Sequence, residues 1–329
     1  MSSVETNEGR VASAARPSRA SRSSVSRSSV GRSGFGRSAV VAAAPWLFVT
    51  LWSTGFIAAR YATDDSGPLI FLATRFVLAA AILGAVALAT GMARPTRRQL
   101  GAATIAGLGL HALYLGGVFL AISWGMPSGV SALIAGLHPV ITAVAARGLL
   151  GEQLRPLQWL GVALGFAGVI AVVVDRLVAG ATGLSFGAIV ASVLGVIGIC
   201  AGTLVQRRYG GSTPLVWGTC AQYVASAAAL TLAASVHSSF GGHEGMRFTH
   251  STVFALGWSV FVMSIAAILI MLWLLKREAA ARVSSLFFLT PALSTLEGAI
   301  LFSERMGVLA LVGLVAALGG VALTLRQAR

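Results

Sequence analysis

Apolar residues in this chain fall in long unbroken runs, not in the narrow stripes that mark helices with one solvated face. The runs lie near residues 39–59, 68–91, 100–124, 128–148, 156–174, 183–206, 214–235, 252–275, 283–303 and 306–325. About 20 apolar residues suffice for a helix to cross a bilayer. Short polar segments rich in Gly, Pro and Arg separate the runs. The pattern predicts an all-α polytopic membrane protein with ten transmembrane helices.

Composition strengthens that reading. The chain has 329 residues, of which only 10% are charged. Soluble domains carry about 25%, which argues against the alternative, a large soluble helical protein, as does the lack of polar faces on most runs. Basic residues give a formal net charge of +14, but their placement argues against nucleic acid as a partner. Seven of the 24 lie in the first 39 residues, a Ser/Arg-rich stretch. Residues 1–38 offer nothing to bury, and are expected to form a disordered cytoplasmic tail beside anionic lipid. A cleaved transit peptide is the rival reading, and Glu5 and Glu8 count against it. No secretory signal precedes the first full-length run. The arginine-heavy, Ala/Gly/Val-rich usage fits a bacterial, GC-rich source.

The loops set an orientation. With the tail inside, alternate loops and the C-terminus hold 12 Arg or Lys on the cytoplasmic side. Only Arg60, Arg176, Arg247 and Arg305 fall on the other. The positive-inside rule then places both termini in the cytoplasm of a multi-pass inner-membrane protein.

The chain also repeats itself. LHPVITAVAARGLLGE (137–152) aligns with LTPALSTLEGAILFSE (289–304), so Pro139 meets Pro291 and Glu152 meets Glu304. Downstream, Gly161 meets Gly313 and Gly168 meets Gly320. Earlier in each half, Arg60–Tyr61 with Pro68 echoes Arg208–Tyr209 with Pro214. Each half, 39–174 and 183–325, has five helices. An odd number inverts the second copy in the membrane. Inverted repeats build many secondary transporters, with a substrate site near the midplane.

LWSTGFIAARY (51–61), then Pro68 and Arg75 in PLIFLATRF, resemble the opening of EamA-type proteins of the drug/metabolite transporter superfamily. The paired L-x-P elements, each with a Glu thirteen residues after the Pro, resemble that family too. So does the Gly-rich helix closing each half. The resemblance covers about residues 43–326. It implies a ten-helix permease of the plasma membrane, usually an exporter, and leaves the substrate open.

Charge inside a span costs roughly 2.5–3.5 kcal/mol on insertion scales and defaults to a functional reading. Two such residues stand out, Arg75 and Glu297. Counted from the helix ends, both lie about 10 Å below the outer surface. They fit either a structural ion pair or separate roles, with Arg75 meeting a substrate carboxylate and Glu297 an amine or a proton. Thr290, Ser294 and Glu297 share one face, and that stripe should face a cavity. Of the equivalent positions His138, Thr142 and Ala145, none is acidic.

His111, Tyr114 and His138 sit near mid-span, as substrate contacts, proton relays or helix-to-helix hydrogen bonds. Trp52 could wall the pocket, pack or face lipid. Thr219, Gln222 and Ser226 form another polar face, with Gln222 the substrate-contact candidate. Glu152 and Glu304 are expected to bind backbone donors or loop arginines at helix ends. Gly161, Gly165, Gly168, Gly313, Gly319 and Gly320 allow close helix contact, within a monomer or across a homodimer.

Cys200 and Cys220 fall inside apolar runs and are expected to be inert. No metal spacing and no phosphate-binding G-x-x-x-x-G-K-[ST] motif occurs, so no cofactor and no ATP-driven pumping is expected. Export of a small-molecule zwitterion such as an amino acid, proton-coupled through Glu297 or a histidine, is the leading reading. A passive uniporter, a non-transporting sensor or scaffold, and an intramembrane enzyme are the alternatives. The enzyme lacks a catalytic constellation at one depth.

Overall fold

The computed structural model describes residues 32–55, 58, 66–126, 131, 134–178, 185–290, 293, 297 and 307–325. Ten helical elements succeed one another among them. They are α1 (Arg32–Ser53), α2 (Pro68–Ala89), α3 (Arg97–Ser123), α4 (His138–Leu150) and α5 (Pro156–Val178). Then come α6 (Phe186–Tyr209), α7 (Leu215–Ser239), α8 (His250–Arg277), α9 (Ala280–Ser285) and α10 (Val308–Leu325). A 3₁₀ turn, Leu286–Phe288, continues α9. Each expected apolar run overlaps one of these elements. Five of them, α2, α3, α6, α7 and α8, are long and apolar enough to cross a membrane.

Contacts divide the chain between Val40 and Val41, and the helix bundle belongs to the unit Val41–Arg329. α1 begins at Arg32, so it takes in the last residues of the expected tail. Once a helix is nucleated, each added residue brings one more hydrogen bond, so the apolar run can carry its Ser/Gly-rich flank. The rest of the tail lies outside the described residues.

Why these segments pack as they do is visible on α2. Leu72, Phe76, Ala79 and Leu83 are buried, while Val77, Val86 and Leu88 are exposed. Both faces are apolar, which suits a helix between protein and lipid. α2 packs along α7, α3 along α6, and α5 along α10. The α5–α10 contact uses the glycines. A Cβ on Gly161 would stand 2.6 Å from the Gly320 carbonyl oxygen, and one on Gly168 2.6 Å from that of Gly313. Of the two uses the sequence left open, this small-residue face serves contact within one chain.

α3 and α8 each contain a π-helical segment, Leu108–Leu113 and Ser259–Ala267. The segment in α3 packs on α6 and α7, and the one in α8 packs on α2.

Both ends of the bundle are tied by carboxylates. At one end Glu152 Oε1 accepts from Arg207 Nε and from the Ala280 amide, each at 3.1 Å, while Arg207 Nη1 donates to the Leu275 carbonyl. This is the helix-end role expected of Glu152; Glu304 lies outside the described residues. At the other end Glu244 Oε2 accepts from the Leu69 and Ile70 amides at the start of α2. Its Oε1 lies 2.8 Å from His237 Nδ1, and Trp124 Nε1 donates to His237 Nε2 at 3.3 Å.

Candidate functional site

Two buried polar clusters lie inside the bundle. The first is built on Arg75, which α2 carries at 3% exposure. Its Nε donates to Ser264 Oγ at 2.6 Å. The Ser264 carbonyl accepts from the Tyr223 hydroxyl. Tyr223 stacks on Phe76 at 5.0 Å, and the guanidinium lies 5.3 Å from the Phe76 ring. His111, in the π segment of α3, approaches the Tyr223 ring at 4.9 Å. Its Nε2 is 3.0 Å from Gln222 Oε1, and Gln222 donates onward to Gln206 at 2.9 Å. Ser226 donates to the Gly107 carbonyl and fastens α7 to α3. α2, α3, α6, α7 and α8 all contribute.

Two buried nitrogens in this cluster are unspent among the described residues. Arg75 Nη2 and His111 Nδ1 are buried with no hydrogen-bond partner among the described residues. An unpaired buried donor costs about 1–3 kcal/mol, more when charged. Such groups call for a ligand, a water or another conformational state.

The second cluster surrounds His138 at the start of α4. Its Nε2 lies 3.3 Å from Ser284 Oγ, and its ring stands edge-on to Phe287 at 5.0 Å. Phe48 and Trp52 of α1 pack on the same Phe287 ring, each at 5.4 Å. Next along α1, Ser53 donates to Glu297 Oε1. Glu297 Oε2 and His138 Nδ1 are buried without partners among the described residues.

The expected residues are thus sorted. Arg75, His111 and Gln222 come together, and His138 and Trp52 come together around Phe287. Trp52 is buried at 5% exposure, so it packs inside the bundle and does not face lipid. The structural Arg75–Glu297 pair is not formed. Equal depth brings two groups together only if their helices also face each other, and Arg75 faces α8 while Glu297 meets α1. Tyr114 is buried in the core, but none of the hydrogen bonds holding the first cluster involves it. Thr219 donates back to Leu215 within α7. Thr290 is buried, and Ser294 lies outside the described residues.

Sequence reasoning missed Ser264, Tyr223, Gln206 and Ser53. Ser264 stands alone in VFVMSIAA, and Gln206 precedes two arginines. A lone polar residue in a spanning run was the available signal.

Residues 40–174 match the model of the EamA-like transporter family. Over 120 residues the chain is 33% identical to a protein of Escherichia coli (strain K12) named "Uncharacterized inner membrane transporter YedA". That alignment covers 36% of this chain and 39% of the relative's length. It is 25% identical over 285 residues to the E. coli "Probable amino-acid metabolite efflux pump", covering 84% of this chain and 91% of that protein. A crystal structure with 22% identity superposes at a TM-score of 0.72, over 88% of this chain and 96% of that one, and shares the fold. The chain is therefore an all-helical, multi-pass membrane protein whose residues 40–174 match an EamA-like transporter domain.

Proposed function

We propose that this protein is a secondary transporter that exports small zwitterionic metabolites, amino acids foremost, across the bacterial inner membrane. One observation carries the reading. Arg75 is buried within a spanning helix, its only hydrogen bond among the described residues is from Nε, and Nη2 is left without a partner. A cation in that setting is costly unless something anionic joins it in at least one state. A substrate carboxylate supplies both the charge and the acceptor oxygens. Support comes from the relative named as an amino-acid metabolite efflux pump, which aligns over most of both chains.

Transport proceeds by alternating access between two inverted halves, 39–174 and 183–325, with both termini cytoplasmic and the tail beside anionic lipid. A π segment in both α3 and α8, the third helix of each half, supports this symmetry. Glu297 is the proton carrier: it has one oxygen bound to Ser53 and one unbound among the described residues. Transport is favoured over catalysis because the two histidines lie in separate clusters and face neutral partners, Gln222 and Ser284.

The test is efflux from proteoliposomes that contain the full chain and are loaded with mixed radiolabelled L-amino acids. Efflux that depends on the protein and falls on Arg75→Lys is expected. Efflux no faster than from empty liposomes would defeat the proposal.

A further inference from the structure

We propose that Ser264 is the positioning residue for Arg75, and that the π segment of α8 puts it in place; this rests on the reading that Arg75 meets a substrate carboxylate. In an α-helix the Ile268 amide would bond the carbonyl four residues back, that of Ser264. Here the Ile268 amide is directed to the Met263 and Ile265 carbonyls. The Ser264 carbonyl is passed over, and the Tyr223 hydroxyl takes it instead. That bond ties α8 to α7. With its backbone anchored, Ser264 holds its Oγ 2.6 Å from Arg75 Nε. π segments inside α-helices are frequent at functional sites.

The consequence is chemical. A guanidinium can grip a carboxylate by two forks, a side-on one through Nε and Nη2, or an end-on one through both terminal nitrogens. Ser264 occupies Nε, so the side-on fork is closed. The Phe76 ring, itself stacked on Tyr223, lies 5.3 Å from the guanidinium carbon. What remains is the end-on fork, including Nη2, which is unpaired among the described residues. It matches a planar group with two acceptor oxygens. A carboxamide offers one acceptor and one donor, and the donor would meet a guanidinium N–H. Ser264 therefore sets the preference for acid over amide without touching substrate.

The experiment measures transport by the full chain in proteoliposomes, with mixed radiolabelled L-amino acids as substrate and the corresponding L-amino-acid amides as competitors. Ser264→Ala should raise KM about tenfold, equivalent to about 1.4 kcal/mol, with turnover held within about twofold. Discrimination of acid over amide should fall by a similar factor. Ser264→Thr, which keeps the hydroxyl, should restore both. Tyr223→Phe, which frees the Ser264 carbonyl, should show the same KM-selective loss, and it carries the test if Ser264→Ala fails to fold. Unchanged KM and discrimination in Ser264→Ala, with discrimination lost in Arg75→Lys, would overturn the role of Ser264 and leave the carboxylate reading standing. Discrimination intact in Arg75→Gln, which removes the charge, would overturn the carboxylate reading itself, as would wild-type protein that moves none of the amino acids.

Discussion

Arg75 and Glu297 hold different partners, Ser264 on α8 for the arginine and Ser53 on α1 for the acid. Each charge is thus anchored by a hydroxyl and not by the other charge. A double-mutant cycle tests this. Breaking a buried ion pair costs about 3–5 kcal/mol, and removing both partners relieves most of it. Sites without contact add within about 0.3–0.5 kcal/mol. Arg75→Gln combined with Glu297→Gln should therefore show additive loss in unfolding of the detergent-purified protein. Recovery of stability in the double variant would restore the ion pair.

The α5–α10 contact is a close approach that a single methyl can test. Gly161→Ala drives a Cβ to 2.6 Å from the Gly320 carbonyl oxygen and from Thr324 Oγ1. Overpacking of this kind costs about 1–3 kcal/mol. Gly148, in α4, has nothing within 4 Å of its added Cβ. Ala there should be neutral or stabilising by up to about 1 kcal/mol, because glycine disfavours helix interiors. Melting temperatures of the two variants should move apart. Equal behaviour would mean that α5 and α10 are not in tight contact.

How far the sequence reached depends on what hydropathy encodes. Run lengths fix depth, so the helices and the helix-end role of Glu152 beside loop arginines were legible. Glycine columns marked a close contact, and α5 with α10 realised it. Depth, however, is one coordinate. It placed Arg75 level with Glu297 but could not say which helices adjoin in the plane of the membrane. The true partner, Ser264, is a lone hydroxyl in an apolar run. The π segments were equally hidden, because helices apolar all round carry no periodicity whose slip would reveal a register shift.

Glu244 clasps the start of α2. It accepts from the Leu69 and Ile70 amides at 3.1 and 2.9 Å, while Gly67 donates its amide to the Gly245 carbonyl at 2.7 Å. The first amides of a helix lack intrahelical acceptors. Loss of a side-chain cap costs typically about 1 kcal/mol, within a range of roughly 0.5–2. Glu244→Ala should speed amide exchange at residues 69–71 by about fivefold, with the α5–α10 contact unchanged. Gly67→Ala should do the same by steric means, since its Cβ would stand 2.7 Å from the His243 carbonyl oxygen. Exchange monitored by mass spectrometry reads both. Unaltered protection in both variants would show that the clasp does not hold α2.

Glu297 separates coupled transport from passive uniport. A carboxylate that carries a proton must ionise and recombine during the cycle, and Gln cannot. Glu297→Gln keeps a similar shape and can still accept from Ser53, so the Ser53 contact should survive. Two assays then diverge. Exchange of labelled for unlabelled amino acids across proteoliposomes needs no net proton movement and should persist in the variant. Accumulation driven by an imposed pH gradient should collapse toward the level without a gradient, at least tenfold below wild type. If gradient-driven accumulation survives the substitution, Glu297 is a structural acceptor for Ser53 and the proton travels elsewhere. If the wild type itself does not respond to the gradient, the protein is a uniporter and the unbound oxygen of Glu297 serves substrate.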